Sequence, residues 1–534
     1  MQVVTCLRGA FAASAMFACA AAQAANPILP LWECIPDGEP YVFDDPDVPG
    51  KKRVYLYGSH DNTRGTYCGR DQVVWSASVD DLNKWRFDGV IFRSLLDRDG
   101  KLLDKSALGD ILYAPDVAEV VGPDGKKTYY LYPNTQAAGR NNMVAKSDRP
   151  DGPFVVCNWD ENDPKKTVGP FGFDPAVFVD DDGRVYGYWG FMQSFAAELD
   201  PKTMATVKPG TEIVSDMVSG VKQPGVFRFF EASSIRKIKG KYVFIYSRIT
   251  EKGEFGLPET NYTLAYAYSD RPLGPWTYGG TIIDARAREK ASDGKTVPTA
   301  SPSGNTHGSI CEINGKWWVF YHRQSGTDEF SRQAMVAPIT VEVEDGPGGK
   351  VTISEGEYTS EGFETAGLDP FELHAGGIAC HYTGPAPAVS SYPNVRYTGP
   401  YIQTFYADCY GERDPYAAKV NRSFAVHATP GSVLGYKYFN FDKTAGEKGL
   451  KLVLGIVPRG TGGKVEVWVG RDSVSGTKVG AADVPRDLGN VRTDLEIDVS
   501  ALGEIGGKQG LYLRFSGDGQ ASICDVEDLK FAKF

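Results

Sequence analysis

Residues 176–189, AVFVDDDGRVYGYW, consist of two apolar runs joined by an acidic turn that ends in glycine. Valine and aromatic residues favour β-strands, and an Asp-Gly pair supplies the tight turn of a hairpin. This stretch therefore predicts a β-hairpin. Four further pairs of apolar runs with a similar form occur in the first two-thirds of the chain: 41–43 with 54–57, 118–121 with 129–132, 234–238 with 242–246, and 309–313 with 317–321.

A second repeated element follows some of these hairpins. Residues 147–154, SDRPDGPF, match residues 269–276, SDRPLGPW, and residues 74–85 are a looser copy. Each copy lies where an outer strand would end. Five hairpins with similar exits predict radial repetition, which is the arrangement of a five-bladed β-propeller. A single large β-sandwich built of hairpins is the alternative that this pattern leaves open.

The composition changes to Gly, Glu, Ser and Pro between about residues 346 and 387, and strand-like runs separated by Gly-rich turns resume after residue 392. Such spacing is typical of an antiparallel sandwich. We therefore expect an all-β chain with four segments. These are a signal peptide over 1–24, a five-bladed β-propeller over 25–346, a connecting segment over 347–388, and a jelly-roll-like β-sandwich over 389–534.

Length and charge restrict the function classes. The chain has 534 residues and a formal net charge of −11. Single cores stop growing at about 250–300 residues, so the length predicts two or three domains. The negative charge excludes nucleic acid as the main partner, because binding phosphates needs a basic surface.

The first 24 residues have the pattern of an export signal. Arg8 precedes an apolar run over 10–22, and Ala22-Gln23-Ala24 forms a small-x-small cleavage site. We therefore expect export to the periplasm or the cell exterior. No later run reaches the ~18 apolar residues of a membrane-spanning helix, so no transmembrane anchor is expected. The sequence indicates no particular oligomeric state.

Acidic residues recur at the starts of the predicted inner strands, and a histidine takes this place in the fifth blade. The residues are Asp37, Asp116, Asp174, Glu231 and His307. Inner strands of a propeller begin around one mouth of its central channel, so these side chains should converge. Like charges held close raise each other's pKa, which lets one carboxyl act as an acid while another acts as a base. Each motif alone is also compatible with a turn, an ion pair or a buried histidine.

In combination, these motifs resemble glycoside hydrolase family 43. The resemblance rests on PDGEP (36–40), RVYLYGSHD (53–61), YAPD (113–116), FDPA (173–176), FFEASS (229–234), THG (306–308) and SRQ (331–333). It implies a five-bladed propeller and hydrolysis with inversion. Sucrose- and fructan-cleaving enzymes share the propeller but retain configuration. Fragments of their motifs occur here in the wrong order, so that interpretation is rejected.

The resemblance also implies roles for three acids. Asp37 would be the general base that activates a water, and Glu231 would be the general acid that protonates the leaving oxygen. Asp174 would orient Glu231 and raise its pKa. Inversion needs the base and the acid about 6.5–9.5 Å apart, which leaves room for the water.

Further positions are expected around the sugar. Arg332 would lean towards Asp174 and the substrate, while Asp116, Asn134 and Trp189 would contribute to substrate binding. His307 would lie near the channel axis, where family members often hold a calcium ion or waters. No cofactor is required by this chemistry, and calcium bound through water at His307 is left open.

The sequence thus predicts an exported, inverting exo-glycosidase whose partner is a polysaccharide or oligosaccharide. The expected substrates are α-L-arabinofuranosyl or β-D-xylosyl ends of plant polysaccharides, with galactofuranose a further candidate. A non-catalytic glycan-binding propeller is the alternative, and it would lack one of the three acids. The C-terminal domain resembles family-6-type carbohydrate-binding modules, and both glycan binding and bracing of the propeller are left open for it.

Overall fold

The computed structural model describes residues 25–63, 65–291, 293–302, 305–404 and 421–534. The expected signal peptide lies outside the described residues. Strands dominate, and the helices described are short 3-10 turns: Glu254–Gly256, Gly376–Ile378, Phe441–Thr444 and Ser500–Glu504. Across these ranges, no helix is long and apolar enough to cross a membrane.

Five antiparallel sheets follow one another along residues 39–339. The first contains β1 (Glu39–Asp44), β2 (Lys52–Tyr57), β3 (Gln72–Ser78) and β4 (Asp81–Phe92). The second contains β5 (Asp116–Val121), β6 (Lys127–Tyr132), β7 (Ala145–Ser147) and β8 (Val155–Val156). The third contains β9 (Ala176–Val179), β10 (Val185–Gly190), β11 (Ser194–Leu199) and β12 (Val214–Ser215).

The last two sheets flank a small ribbon. The fourth sheet contains β13 (Phe229–Ile238), β14 (Lys241–Ile249), β15 (Tyr262–Ser269) and β16 (Thr277–Asp284). The ribbon consists of β17 (Glu289–Lys290) and β18 (Thr296–Val297). The fifth sheet contains β19 (Ser309–Ile313), β20 (Lys316–Gln324) and β21 (Arg332–Ile339), and a hairpin of β22 (Val341–Val343) and β23 (Val351–Ile353) follows it.

The five sheets close into a ring. The inner strands β5, β9, β13, β19 and β1 lie in contact in that order, and the first two sheets share an apolar cluster that includes Phe43 and Val117. A parallel bridge between Gly38 and Gly308 joins the first sheet to the last. The predicted five-bladed propeller and its five hairpins are therefore confirmed, and the single-sandwich alternative is wrong.

Two features stabilise the ring. The Ile28 amide donates to the Ala334 carbonyl, so the N-terminal segment covers the outer edge of the fifth sheet, where unpaired backbone groups would otherwise be left. The repeated SDRP segments join neighbouring blades, because Tyr57 donates its hydroxyl to the Pro150 carbonyl and Tyr188 does the same to Pro272, each at 2.7 Å. The repeat is therefore an inter-blade contact.

The C-terminal domain is a β-sandwich. Its strands are β24 (His374–Ala375), β25 (His381–Thr383), β26 (Val389–Ser391), β27 (Asn394–Arg396), β28 (Tyr401–Thr404), β29 (Ser423–Ala428), β30 (Val433–Asn440), β31 (Leu450–Pro458), β32 (Gly463–Gly470), β33 (Thr477–Val484), β34 (Thr493–Asp498), β35 (Lys508–Ser516) and β36 (Cys524–Lys533). One sheet has the order β28-β29-β36-β31-β34, with β24 also paired to β36. The other has the order β25-β30-β35-β32-β33, and a common apolar core lies between them.

The structure shows two features of the sandwich that the sequence did not predict: where it starts, and how one of its hairpins packs. The strands β24 and β25 pair with sandwich strands β36 and β30, so we place the start of the sandwich at His374, inside the expected connecting segment. The hairpin β26–β27 leaves the sheets and packs against the propeller loop 325–331. There the Val395 amide donates to the Thr327 carbonyl at 2.8 Å.

Candidate active site

A cavity of about 1530 Å³ opens at the mouth of the channel where the inner strands begin. Asp37, Asp174, Glu231, His307 and Arg332 all line it. These residues come from four different blades, so the ring closure described above is what brings them together. Aromatic residues form much of the remaining wall: Tyr67, Tyr113, Phe173, Phe191, Phe230, Tyr262, Phe330 and Tyr392.

Asp37 lies two residues before β1 and is buried, with a left-handed backbone at φ 59°. Its Oδ1 accepts a hydrogen bond from Arg332 at 2.8 Å, and its Oδ2 accepts one from the Ser59 hydroxyl at 2.6 Å. Burial by itself would raise the pKa of Asp37, but Arg332, the nearby imidazoles and Ser59 outweigh burial. The net effect lowers this pKa below its ordinary value, so Asp37 is an anion at neutral pH.

Asp174 lies two residues before β9 and is also buried in a left-handed conformation, at φ 48°. Its Oδ2 accepts the Ala232 amide at 2.9 Å, and its Oδ1 accepts the Asn134 side-chain amide at 3.3 Å. Burial and the neighbouring Glu231 and Asp37 raise the pKa of Asp174. A left-handed backbone at a non-glycine residue is strained, and such strain is common where a site needs one orientation.

Glu231 lies within β13 at a β-bulge. The pairing of β13 with β14 shifts register on both sides of Glu231, and the next residue, Ala232, has φ 68°. Bulges of this kind re-aim side chains beside active sites. The Asn305 side-chain amide donates to Glu231 Oε1 at 3.0 Å. Burial raises the pKa of Glu231 to about 7, with Asp37 adding to the shift and Asn305 and Arg332 opposing it.

Asp174 and Glu231 are neighbouring buried acids, and the pKa of each is raised above its ordinary value. Both oxygens of Asp174 accept hydrogen bonds from N–H donors, which favours its ionised form. Only Oε1 of Glu231 accepts the hydrogen bond from Asn305. Hydrogen bonding therefore favours Asp174 over Glu231 as the ionised member of the pair, and both residues line the cavity.

Arg332 connects this acid pair to Asp37. Its guanidinium makes two hydrogen bonds to Asp61, each of 2.9 Å, and its Nη1 also lies 3.3 Å from Asn305 Oδ1. The expectation that Arg332 leans towards Asp174 is wrong, because the guanidinium of Arg332 binds Asp37 and Asp61 instead. Asn305 and Arg332 together span the space between Asp37 and Glu231.

Three contributors were missed from the sequence: Ser59, Asp61 and Asn305. Ser59 and Asp61 lie in the GSHD segment directly after β2, and Asn305 lies two residues before His307. Ser59 and Asp61 belong to the motif RVYLYGSHD, and Asn305 directly precedes the motif THG. The signal was present, but Ser and Asn are such common turn residues that position alone did not distinguish them.

His307 lies between the two aspartates. Its Nδ1 is 3.8 Å from Asp37 Oδ1 and 3.6 Å from Asp174 Oδ2. Burial lowers the pKa of His307 to about 4, although Asp37 acts in the opposite direction. The imidazole is therefore neutral at pH 7 and adds no positive charge between the carboxylates.

The residues around His307 do not fit a calcium ion held by protein oxygens. Calcium takes about 6–8 oxygen ligands, whereas the oxygens of Asp37 and Asp174 already accept the hydrogen bonds described above. Within the described ranges, no group of three or more His, Cys, Asp or Glu residues could hold a metal. Deeper in the channel, the Arg236 guanidinium lies 2.6 Å from Glu39 and supplies the positive charge there.

Three residues that were expected to bind substrate lie behind the cavity wall. Asp116 lies below the cavity, where it accepts the Tyr41 hydroxyl and the Val177 amide. Asn134 is buried behind Asp174 and donates to that carboxylate. Trp189 packs between aromatic rings in the core of the third blade. None of the three is among the residues that line the cavity.

Comparison with known proteins gives matches over most of the chain. The profile described as Glycosyl hydrolases family 43 matches residues 40–347. A xylosidase/arabinosidase of Thermoclostridium stercorarium is 32% identical over 520 residues, covering 94% of this chain and 98% of the relative. An arabinoxylan arabinofuranohydrolase of Paenibacillus polymyxa is 25% identical over 514 residues, covering 93% and 71%. A solved arabinoxylan arabinofuranohydrolase of Bacillus subtilis, in complex with cellotetraose, has 20% identity and a TM-score of 0.45 over 95% of this chain and 97% of that chain.

Proposed function

Because the chain belongs to family 43 of the glycosyl hydrolases, as its motifs predicted, we propose that it is an inverting, exo-acting glycosidase. The substrates proposed are terminal α-L-arabinofuranosyl or β-D-xylosyl units of arabinoxylan-type polysaccharides. The names of the Thermoclostridium and Paenibacillus relatives support this substrate class.

One observation carries the proposal: a single cavity holds two carboxyl groups whose pKa values are shifted in opposite directions. Asp37 has a lowered pKa and Glu231 a pKa raised to about 7. General acid–base hydrolysis at neutral pH needs an anionic base and a protonated acid that act on the same substrate. A non-catalytic binding propeller gives no reason for this pairing.

The reaction then proceeds in one displacement. Asp37 accepts a proton from a water whose oxygen attacks the anomeric carbon, while the bond from that carbon to the leaving oxygen breaks. Glu231 donates its proton to the leaving oxygen, so the alcohol departs neutral. Asp37 ends protonated and Glu231 ionised, and exchange of one proton with solvent restores both groups. Attack from the face opposite the leaving group inverts the anomeric configuration.

The other side chains are assigned supporting roles. Asp174 orients Glu231 by accepting a hydrogen bond from the amide of Ala232, the residue that follows Glu231 in the chain. Arg332 keeps Asp37 ionised. Ser59 holds Asp37 in place by a hydrogen bond, and Asp61 does the same for Arg332.

The test is a screen of the purified chain, without residues 1–24, against aryl α-L-arabinofuranoside, β-D-xyloside and galactofuranoside. Activity on the arabinofuranoside or xyloside that disappears in Asp37→Asn is expected. Proton NMR of the first product then identifies its anomer, and the inverted anomer is expected. Release of the retained anomer would refute the assigned roles, and activity on galactofuranoside alone would refute the proposed substrate.

A further inference from the structure

The hairpin β26–β27 of the C-terminal domain forms part of the wall of the active-site cavity. Val389, Ser390 and Tyr392 line the cavity together with the preceding Pro387 and Ala388. These residues belong to the C-terminal sandwich domain, whereas the three acids all come from the propeller. The cavity is therefore completed by both domains.

The hairpin is fixed to the propeller by backbone and side-chain contacts. The Glu329 amide donates to the Pro393 carbonyl at 3.1 Å, and a backbone bridge joins Asp328 to Asn394. The Tyr392 ring stacks on Tyr67, with centroids 6.5 Å apart and planes inclined by 28°. Such contacts hold the tip of the hairpin at a defined place at the rim.

Tyr67 links this rim to the catalytic groups. The Arg332 guanidinium lies 4.9 Å from the Tyr67 ring centroid, and the same guanidinium binds Asp37. A continuous row of side chains thus runs from Asp37 through Arg332 and Tyr67 to Tyr392. Anything bound beyond the cleaved sugar along this row would reach Tyr392.

Tyr392 is unusual in its exposure. The residue is 70% exposed although it carries a large aromatic ring at the mouth of a cavity. Val389 on the same hairpin is 51% exposed, and Phe191 on the cavity wall is 44% exposed. Exposed apolar groups clustered at a cavity mouth mark a binding surface, and aromatic rings stack on the C–H faces of sugar rings.

The size and charge of the cavity define the occupant. Its volume of about 1530 Å³ exceeds the ~300–1,000 Å³ typical of small-molecule sites, so it can take more than one sugar. Among its described lining residues, Glu259 and Glu329 add to the three acids, while Arg286 and Arg332 are the basic ones. This excess of acids disfavours an anionic chain and fits a neutral one.

We propose that the hairpin β26–β27 is a binding platform for the neutral pyranose chain that carries the cleaved sugar, with Tyr392 stacking on one of its rings. This inference rests on the proposed function. It makes Tyr392 a determinant of preference for oligosaccharides over small aryl glycosides, and it gives the sandwich domain a part in substrate recognition at the active site itself.

The test compares the full-length variants Tyr392→Ala and Tyr392→Phe with the protein without substitutions. The substrates are an arabinosyl-substituted xylotetraose and the aryl glycoside that the enzyme cleaves. Tyr392→Ala should lower kcat/KM on the oligosaccharide about tenfold, as expected for loss of one aromatic stacking contact, and on the aryl glycoside by less than about twofold. Tyr392→Phe should retain both activities. Phe534→Ala is the matched control, because Phe534 is 71% exposed and lies outside the cavity.

A binding measurement separates this inference from the proposed function. In the Glu231→Gln background, calorimetric titration with unsubstituted xylotetraose should give a Kd about tenfold weaker when Tyr392 is also Ala. Unchanged binding, or equal loss of activity on both substrates, would overturn the platform. If the protein without substitutions cleaves neither substrate while Tyr392→Ala still weakens binding of xylotetraose, the platform stands and the proposed function fails.

Discussion

Replacing Arg332 by glutamine should move the acidic limb of the pH–rate profile. Arg332 is the cation in contact with Asp37, at 2.8 Å from Oδ1, and both side chains are buried. It opposes the effect of burial, which by itself raises the pKa of Asp37. Without the guanidinium, the base should therefore become protonated at a higher pH.

The size of the shift follows from the geometry. Two unit charges about 4 Å apart interact by about 4 kcal/mol at an effective dielectric constant of 20. Since one pKa unit corresponds to about 1.4 kcal/mol, this sets an upper limit of about 3 units. An opposite charge at this range lowers a carboxyl pKa by about 1–3 units. Since the pKa of Asp37 is held below its ordinary value in the protein without substitutions, we expect the acidic limb of kcat/KM to rise by about 1–3 pH units.

The design must protect the fold. Arg332 also pairs with buried Asp61, and removing one partner of a buried ion pair costs about 3–5 kcal/mol. Arg332→Gln is therefore combined with Asp61→Asn, and Asp61→Asn alone is the control that keeps the cation beside Asp37. The assay is kcat/KM on the aryl glycoside from pH 3 to pH 9. A folded double variant whose acidic limb coincides with that of the control would refute the reasoning.

Glu231→Gln should abolish cleavage of poor leaving groups yet spare activated aryl glycosides, because only poor leaving groups need protonation; equal losses on both would contradict its role as acid. The alkaline limb of kcat/KM should lie near pH 7, where Glu231 loses its proton. Asn305→Ala should move that limb to higher pH, because the Asn305 hydrogen bond lowers the pKa of Glu231; a shift to lower pH would contradict this. Incubation with EDTA should leave kcat/KM within about twofold, since the residues around His307 offer no free set of the 6–8 oxygens that calcium takes; full loss restored by calcium would refute that. Trp189→Ala should lower the free energy of unfolding by about 3–5 kcal/mol with KM little changed, as a core residue does; a large rise in KM in a stable protein would return Trp189 to the sugar pocket.

The propeller could be predicted because its signals are local and repeated. Residues 176–189 and the four similar stretches each contain a complete hairpin, with strand residues and a turn in contiguous sequence. Their repetition implied blades, and the motif residues at the strand starts implied that Asp37, Asp174 and Glu231 would meet. These inferences need only the geometry of one blade and its repetition around an axis.

Other features depend on side-chain direction. A strand alternates the faces of its residues and a bulge changes that alternation, so sequence position near the channel mouth did not show that Asp116, Asn134 and Trp189 lie outside the cavity lining. The choice of Arg332 between Asp37 and Asp174 likewise depends on where Asp61 lies, 271 residues earlier in the chain.

The sequence by itself determined the all-β class, the five hairpins, the family and the three acids, because each is encoded in short contiguous patterns. Only the tertiary structure decided how Asn305 and Arg332 join the acids, that the pKa values of Asp37 and Glu231 shift in opposite directions, and that Tyr392 from the C-terminal domain stands at the cavity rim. Each of these is a contact between residues distant along the chain. Desolvation and electrostatic coupling arise from such packing, and no local pattern specifies it.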